Sequence, residues 1–343
     1  MSAKEDLSNV FKARIHADHH DFYAAPLSEK KWEFLEIQGL FGQQSENRIR
    51  KIRKFYEDSG KHDESTHFQT LLCTFKYQGD LYLVFPWAEG NLHELWGANP
   101  NPKPTDTLLS WALTQMGNIA HSLAKVHLPA PSEYHGGLGP NRVIFFQDLQ
   151  AQDLSEETSS IIATTLVIAY PGKKDVEYEY VIKSELLFST YDAPDYSRGH
   201  IMSSKADVWS LGFKEFSEWR ALDDDSLEFV ADHFYTTDLG DIRPSIFEWT
   251  ERLKGNPECP KPLIAVVDFV MTEMLLLKPK DRSSAERVSN WFKELHRQTF
   301  ENVLQVHPTS ERSFLTTSRE RYLIKKVLGR WNGVIRMRQE SRR

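Results

Sequence analysis

The sequence predicts an α+β fold in which a small, strand-rich N-terminal lobe precedes a larger helical C-terminal lobe. Short runs of alternating apolar residues occupy the first 85 or so positions and are typical of strands. Longer runs with apolar residues at helical spacing follow, above all between Leu108 and Val126. The 343 residues are enough to bury a sizeable core in one two-lobed domain or in two small ones.

Local patterns predict the individual elements. In the N-terminal part they predict strands over residues 9–15, 32–37, 68–75 and 80–85, and a helix over 45–56. In the C-terminal part they predict strands over 143–146 and 165–169, a helix capped by Thr105 or Asp106, and a helix capped by Ser204. The run 262–277 is apolar, but Asp268 and Glu273 interrupt it, so it predicts a buried helix rather than a membrane span.

Composition is that of an ordinary globular protein, with 40% hydrophobic and 27% charged residues. The two cysteines, Cys73 and Cys259, stand far apart without metal-ligand spacing, which favours a reducing compartment. The first twenty residues are charged, so we expect no signal peptide. These observations predict an intracellular protein, cytoplasmic or nuclear.

Five short motifs occur in a fixed order along the chain. They are Leu-Tyr-Leu-Val-Phe-Pro-Trp-Ala-Glu-Gly-Asn-Leu at 81–92, Tyr-His-Gly-Gly-Leu-Gly-Pro-Asn-Arg-Val-Ile at 134–144, Ala-Pro-Asp at 193–195, Asp-Val-Trp-Ser-Leu-Gly at 207–212, and Pro-Lys-Asp-Arg-Ser-Ser-Ala at 279–285. In this order they resemble motifs of the protein kinase superfamily. Their residues are similar to those of Ser/Thr kinase-like proteins of filamentous fungi. The resemblance covers about residues 8 to 298.

The resemblance implies a two-lobed protein-kinase-like fold. It implies an N-lobe over residues 1–87 that lacks a Gly-rich loop, a helical C-lobe over 88–300, and a separate tail over 301–343. The hinge between the lobes, where a nucleotide would be contacted, falls on Phe85, Pro86, Trp87 and Ala88.

The same resemblance implies that the catalytic positions are degraded. Kinases carry His-Arg-Asp-Leu-Lys-x-x-Asn in the catalytic loop. Counted from His135, the catalytic-base Asp falls on Gly137, the Lys on Gly139 and the metal-holding Asn on Arg142, unless a one-residue slip brings in Asn141. The metal-holding Asp falls on Tyr170 and the strand Lys on Leu35. No catalytic or metal-binding residue is therefore expected.

Four residues match positions that build the kinase fold. Asp207 is implied to hydrogen-bond the backbone of the loop at 134–142, and His135 to pack beneath the segment that follows. Arg282 is implied to pair with Asp195, through a longer or shifted bridge because Asp is one methylene shorter than the family's Glu.

Two functions follow from the resemblance. The first is a catalytically inactive pseudokinase that acts as a binding or regulatory module for a protein partner, with no cofactor, or with ATP held without metal. The alternative is an atypical Ser/Thr protein kinase that uses displaced groups such as Glu36, Asp175 or Glu177. A different small-molecule phosphotransferase on the same fold is a third interpretation.

The C-terminal tail is basic, with ten basic and three acidic residues over 310–343. Ile324, Leu328, Trp331 and Ile335 form an apolar stripe at helical spacing, which predicts a basic amphipathic helix. Docking on the chain's own acidic surface and binding of a partner both fit this pattern, whereas nucleic acid is not expected.

Overall fold

The computed structural model of the chain describes residues 10–16, 32–40, 50, 67–99, 104–128, 134–147, 161, 164–169, 193–197, 203–220 and 241–301. The chain divides into two compact units between Ala88 and Glu89. The first unit holds a four-stranded sheet, and the second holds a three-stranded sheet together with the helices bounded below.

The sheet of the first unit is antiparallel throughout. Its strands are β1 (Val10–His16), β2 (Trp32–Leu40), β3 (Cys73–Tyr77) and β4 (Asp80–Pro86), in the spatial order β1-β2-β4-β3. A two-residue turn joins β3 to β4, with positive φ at both Gln78 (51°) and Gly79 (96°). Positive φ at both positions gives the tight hairpin geometry that suits the twist of paired strands.

An apolar cluster of Leu35, Leu72 and Val84 forms the core of this unit. The predicted strand over 68–75 begins later, at Cys73. Phe68, Gln69, Leu71 and Leu72, which precede it, are buried outside the strand.

The second sheet is smaller and lies in the second unit. It consists of β5 (Gly90–Asn91), β6 (Val143–Gln147) and β7 (Thr164–Ile168), with antiparallel pairing in the order β5-β6-β7. Val143 and Ile168 are fully buried partners in this sheet, which therefore has its own apolar face.

Side-chain caps fix the starts of the first two helices. Helix α1 (Leu92–Ala98) begins with a capping box, in which the Asn91 side chain accepts from Glu94 N (3.0 Å) and the Glu94 carboxylate accepts from Asn91 N (2.9 Å). Helix α2 (Asp106–His127) begins after Thr105, whose hydroxyl accepts from Leu108 N (3.2 Å). Of the two predicted caps of this helix, Thr105 is therefore the one used.

The remaining helices are α3 (Pro194–Ser197), α4 (Ser204–Arg220), α5 (Pro244–Gly255), α6 (Lys261–Phe269) and α7 (Ala285–His296). The predicted cap of α4 is displaced by one residue, because the hydroxyl of Ser203, not Ser204, accepts from Lys205 N (3.3 Å). Helix α6 runs into a π-helical turn, Val270–Met274.

Helix α2 packs along α7 in the core of the second unit. The Ser289 hydroxyl of α7 donates to the carbonyl of Gly117 in the middle of α2 (2.9 Å). Close by, the rings of Phe269 and Trp291 stack with centroids 4.0 Å apart. Glycine at position 117 permits this approach, since a Cβ there would already lie 3.4 Å from Phe292 Cβ.

The α+β class, with a strand-rich N-terminal part and a mostly helical C-terminal part, is confirmed. Of the predicted helix over 45–56, only residue 50 is described. The predicted tail helix lies outside the described residues. Within the described part of the chain, none of the helices combines the length and the apolar character that crossing a bilayer requires.

Gly212 of α4 provides a test of this packing. A Cβ at position 212 would lie 3.0 Å from Met274 Cβ and 3.3 Å from Val270 Cγ1, against the π-helical turn. Overpacking of this kind costs about 1–3 kcal/mol, so Gly212→Ala should lower the urea midpoint even though alanine favours helix. Gly97→Ala in α1 is the matched control, because no heavy atom lies within 4 Å of its Cβ. A midpoint for Gly212→Ala equal to that of Gly97→Ala would contradict the close helix approach.

Candidate functional site

The loop Tyr134–Arg142 is held in place by a buried carboxylate. Asp207 of α4, 2% exposed, accepts from the backbone N–H of His135 through Oδ2 (2.6 Å) and from that of Gly136 through Oδ1 (2.9 Å). Hydrogen bonds to an ionised acceptor are short and roughly twice as strong as neutral ones. Asp207 therefore fixes the position of the loop backbone.

A histidine that the sequence did not single out completes this contact. Nε2 of His127, at the end of α2, lies 2.9 Å from Asp207 Oδ2. Three donors from two parts of the chain thus surround one carboxylate. Because a buried charge is tolerated only when it is hydrogen-bonded, these donors make the burial of Asp207 possible.

The side chain of His135 is buried and neutral. Its Nε2 lies 3.0 Å from the carbonyl oxygen of Ala169, which can only accept, so Nε2 carries the proton. Burial lowers the pKa of the imidazole below its ordinary value, and this effect outweighs the charge of Asp207, which acts in the opposite direction. Among the described residues nothing bonds to its Nδ1, as expected of an imidazole that is not protonated there.

Two further backbone contacts shape the loop. Gly136 has φ +72°, and a Cβ there would lie 2.8 Å from the Tyr134 ring, so glycine suits this position on both counts. The loop ends in the 3-10 turn Pro140–Arg142, and the carbonyl of Arg142 accepts from Ala169 N (2.8 Å). The loop is thus tied to α4 at its start and to the end of β7 at its close.

The structure places the predicted degraded positions in different surroundings. Gly137 is exposed, and among the described residues no heavy atom lies within 4 Å of a Cβ at that position. Gly139 is buried, while Asn141 and Arg142 are exposed. Tyr170, Asp175 and Glu177 lie outside the described residues.

The strand-lysine position, Leu35, lies in the first unit. Its side chain is 3% exposed and packs with Leu72 and Val84, so the position contributes to the apolar core. The neighbouring Glu36 accepts from the side-chain amides of Gln38 (2.6 Å) and Gln69 (3.0 Å). Glu36 therefore has two amide donors on its carboxylate.

The predicted hinge residues lie at the end of β4 and directly after it. Phe85 is fully buried, Pro86 pairs with Leu35 across the sheet, and Trp87 is half-buried. The Lys12 ammonium of β1 lies over the Trp87 ring, 4.4 Å from its centroid.

A buried ion pair fixes α3. Arg282 Nη1 lies 2.6 Å from Asp195 Oδ2, with both side chains buried. The sequence predicted a longer or shifted bridge, and a longer one is wrong, because the two atoms lie at a short hydrogen-bond distance.

The Arg282 guanidinium is also bonded to the backbone. Its nitrogens donate to the carbonyls of Leu276 (2.6 Å), Leu277 (3.3 Å) and Lys205 (3.1 Å), and its charge lies over the Trp209 ring. The Lys205 ammonium in turn donates to the Arg282 carbonyl (2.5 Å), and burial followed by the Arg282 charge lowers its pKa. Sequence reasoning named the pair but missed Lys205, which no motif marks.

No family model matches the chain, and no curated protein matches it. Among solved structures, the chain is similar to a protein kinase domain. That domain is a double mutant of the PknI kinase domain of Mycobacterium tuberculosis, and the match covers 77% of this chain and 85% of that chain at 15% sequence identity with a TM-score of 0.42.

Loss of the Arg282 guanidinium should be strongly destabilising. Arg282→Met leaves Asp195 buried without its cation, which costs about 3–5 kcal/mol. The control is Arg287→Met, which breaks an ion pair with Glu273 in which Arg287 is 63% exposed and which should cost about 1 kcal/mol or less. Urea unfolding of both variants measures the difference, and equal costs would contradict the role of the buried pair.

Acid should destabilise the protein through His135. Because its folded pKa lies below its unfolded value, the folded state binds fewer protons, so its contribution is complete above pH about 6.5 and declines as the pH falls below that value. The decline is at most about 1.4 kcal/mol per pH unit for one group.

His135→Gln keeps an N–H for the Ala169 carbonyl but does not titrate. Its urea midpoint should therefore change less between pH 7 and pH 5 than the wild-type midpoint does. Parallel pH dependences of the two proteins would show that His135 is not the group responsible.

Proposed function

We propose that this chain is a protein-kinase-like domain without phosphoryl-transfer activity, which acts as a binding or regulatory module. One observation carries the proposal. Asp207 and Ala169 hold the loop that resembles a kinase catalytic loop, and Gly137, which the resemblance assigns to the catalytic base, is exposed. By that assignment the loop keeps its frame but has no side chain to accept the substrate proton at position 137.

The carboxylate bonded to this loop cannot replace the missing base. Asp207 is buried and already accepts from His135 N, Gly136 N and His127. A general base must be within hydrogen-bond reach of the proton it removes, and a buried carboxylate with three donors is not. Loss of a general base alone costs roughly 10²–10⁴-fold in rate.

Charge at the metal positions supports the same proposal. Kinases hold magnesium through an Asp and an Asn, and the metal neutralises the triphosphate. Here Arg142 stands at the Asn position and is exposed. A guanidinium repels a divalent cation but attracts phosphate, so any bound ATP would be held without metal.

Among the displaced groups of the rival kinase hypothesis, Glu36 is described. Its carboxylate accepts from Gln38 and Gln69 on the sheet of the first unit, so one acceptor site on each oxygen is already used within the sheet. Because the chemistry is missing, we propose that the protein works through a protein partner.

Thermal shift with ATP, with and without magnesium, tests the proposal on three proteins. The wild type, Gly137→Asp and Gly137→Asn should show no shift or the same shift with and without the metal. A Cβ at position 137 has no heavy atom of the described part of the chain within 4 Å. Gly137→Asn is the uncharged control for Gly137→Asp.

Phosphate transfer to a generic protein substrate is the second measurement. Kinases turn over at about 1–100 per second, and we expect no transfer by the wild type and none by Gly137→Asp, because Arg142 and Tyr170 still supply no metal ligand. A magnesium-dependent shift of the wild type together with turnover near one per second would establish the rival kinase function instead.

A further inference from the structure

Two aromatic rings of the first unit share one cation. The Lys12 ammonium lies 4.3 Å from the centroid of the Phe34 ring and 4.4 Å from that of the Trp87 ring. Both rings therefore lie close to the same point, which the nitrogen occupies. An ammonium over the face of an aromatic ring is attracted by its quadrupole, and here two rings act on one charge.

The strand register explains why these side chains meet. Lys12 pairs with Glu36, and Arg14 pairs with Phe34, so Lys12 and Phe34 are diagonal neighbours on the same face of the sheet. Diagonal neighbours are within reach of long and aromatic side chains. Trp87 follows directly after β4, the strand that pairs with β2 on its other side.

Phe34 is 49% exposed even with the Lys12 ammonium over its ring. Aromatic faces such as these are the surfaces on which planar bases stack, whatever the base. A base and an ammonium cannot occupy the same space between Phe34 and Trp87.

We propose that Lys12 is an internal occupant of the Phe34–Trp87 aromatic site and closes it to a nucleobase. The proposal rests on the proposed function, in which Trp87 belongs to the hinge that would contact a nucleotide. It gives a second reason why the chain would not transfer phosphate. Besides the missing base at Gly137, the aromatic surface beside the hinge is already filled by the chain itself.

Isothermal titration with adenosine tests the occlusion. Adenosine has no phosphate, so loss of the Lys12 charge does not weaken its binding electrostatically. We expect no measurable binding to the wild type and a Kd for Lys12→Ala about tenfold or more tighter than the wild-type limit, because one stacked base contributes on the order of that factor. Lys76→Ala is the matched control: Lys76 is also an exposed lysine of this sheet, on β3, and its loss should leave adenosine binding unchanged.

The double variant Lys12→Ala/Trp87→Ala should lose the gained binding. If Lys12→Ala binds adenosine no better than the wild type, or if the wild type binds it as tightly as Lys12→Ala, the occlusion is refuted. Refutation of the occlusion leaves the argument from Gly137 untouched, so this proposal can fail while the pseudokinase proposal stands. Magnesium-dependent ATP binding with turnover by the wild type would refute both.

A second measurement needs no ligand. Reductive methylation with ¹³C-formaldehyde gives each lysine a dimethylammonium signal, and Lys12→Arg identifies the signal of Lys12. The ring currents of Phe34 and Trp87 should shift that signal upfield of the other lysines at a pH where all are charged. A Lys12 signal among those of exposed lysines would show that the ammonium does not lie over the rings.

Discussion

The carboxylate of Asp207 is the constraint on which the loop architecture depends. It is buried, so its charge must be balanced by donors, and the donors come from the loop backbone at His135 and Gly136 and from His127 at the end of α2. A single side chain of α4 therefore ties the loop to two helices. The loop keeps its path largely independently of the side chains it carries, because these contacts are made by its backbone N–H groups.

Arg282 plays the corresponding role for α3 and the end of α6. Its guanidinium has donors directed in several fixed directions, and it uses them on Asp195 and on the carbonyls of Lys205, Leu276 and Leu277. The carbonyls of Leu276 and Leu277 belong to the irregular segment that follows the π-helical turn, where backbone groups lack helical partners. The carbonyl of Lys205 lies in the first turn of α4, so one buried cation joins this helix start to the irregular segment.

The sequence predicted the features that depend on local pattern. Periodicity located α2, β4 and β6 to within a few residues, because the buried side of each element repeats at the period of that element. The predicted start of β3 was too early. Phe68, Leu71 and Leu72 are apolar and buried, but they lie before the strand. The Ser203 cap was missed by one residue, because two serines in succession offer the same chemistry.

Contacts between distant parts of the chain could not be predicted in the same way. His127 is one histidine among thirteen, and only the folded geometry brings it to Asp207. Lys12 and Trp87 are separated by 75 positions, and their meeting depends on the order of strands β1, β2 and β4. No motif marks either contact. The contact between Lys12 and Trp87 requires only a cation and an aromatic face in register, which many sequences can supply.

Burial also explains why positions 207 and 137 differ in what they contribute to the loop. Removing the carboxylate from position 207 would leave the donors around it unpaired in the interior, at a cost of about 1–3 kcal/mol for each buried group. Position 137 is exposed, and among the described residues no heavy atom lies within 4 Å of a Cβ placed there, so its side chain holds none of these contacts. The chain can therefore carry glycine at position 137 and keep the loop, whereas glycine at position 207 would leave the buried donors without their acceptor.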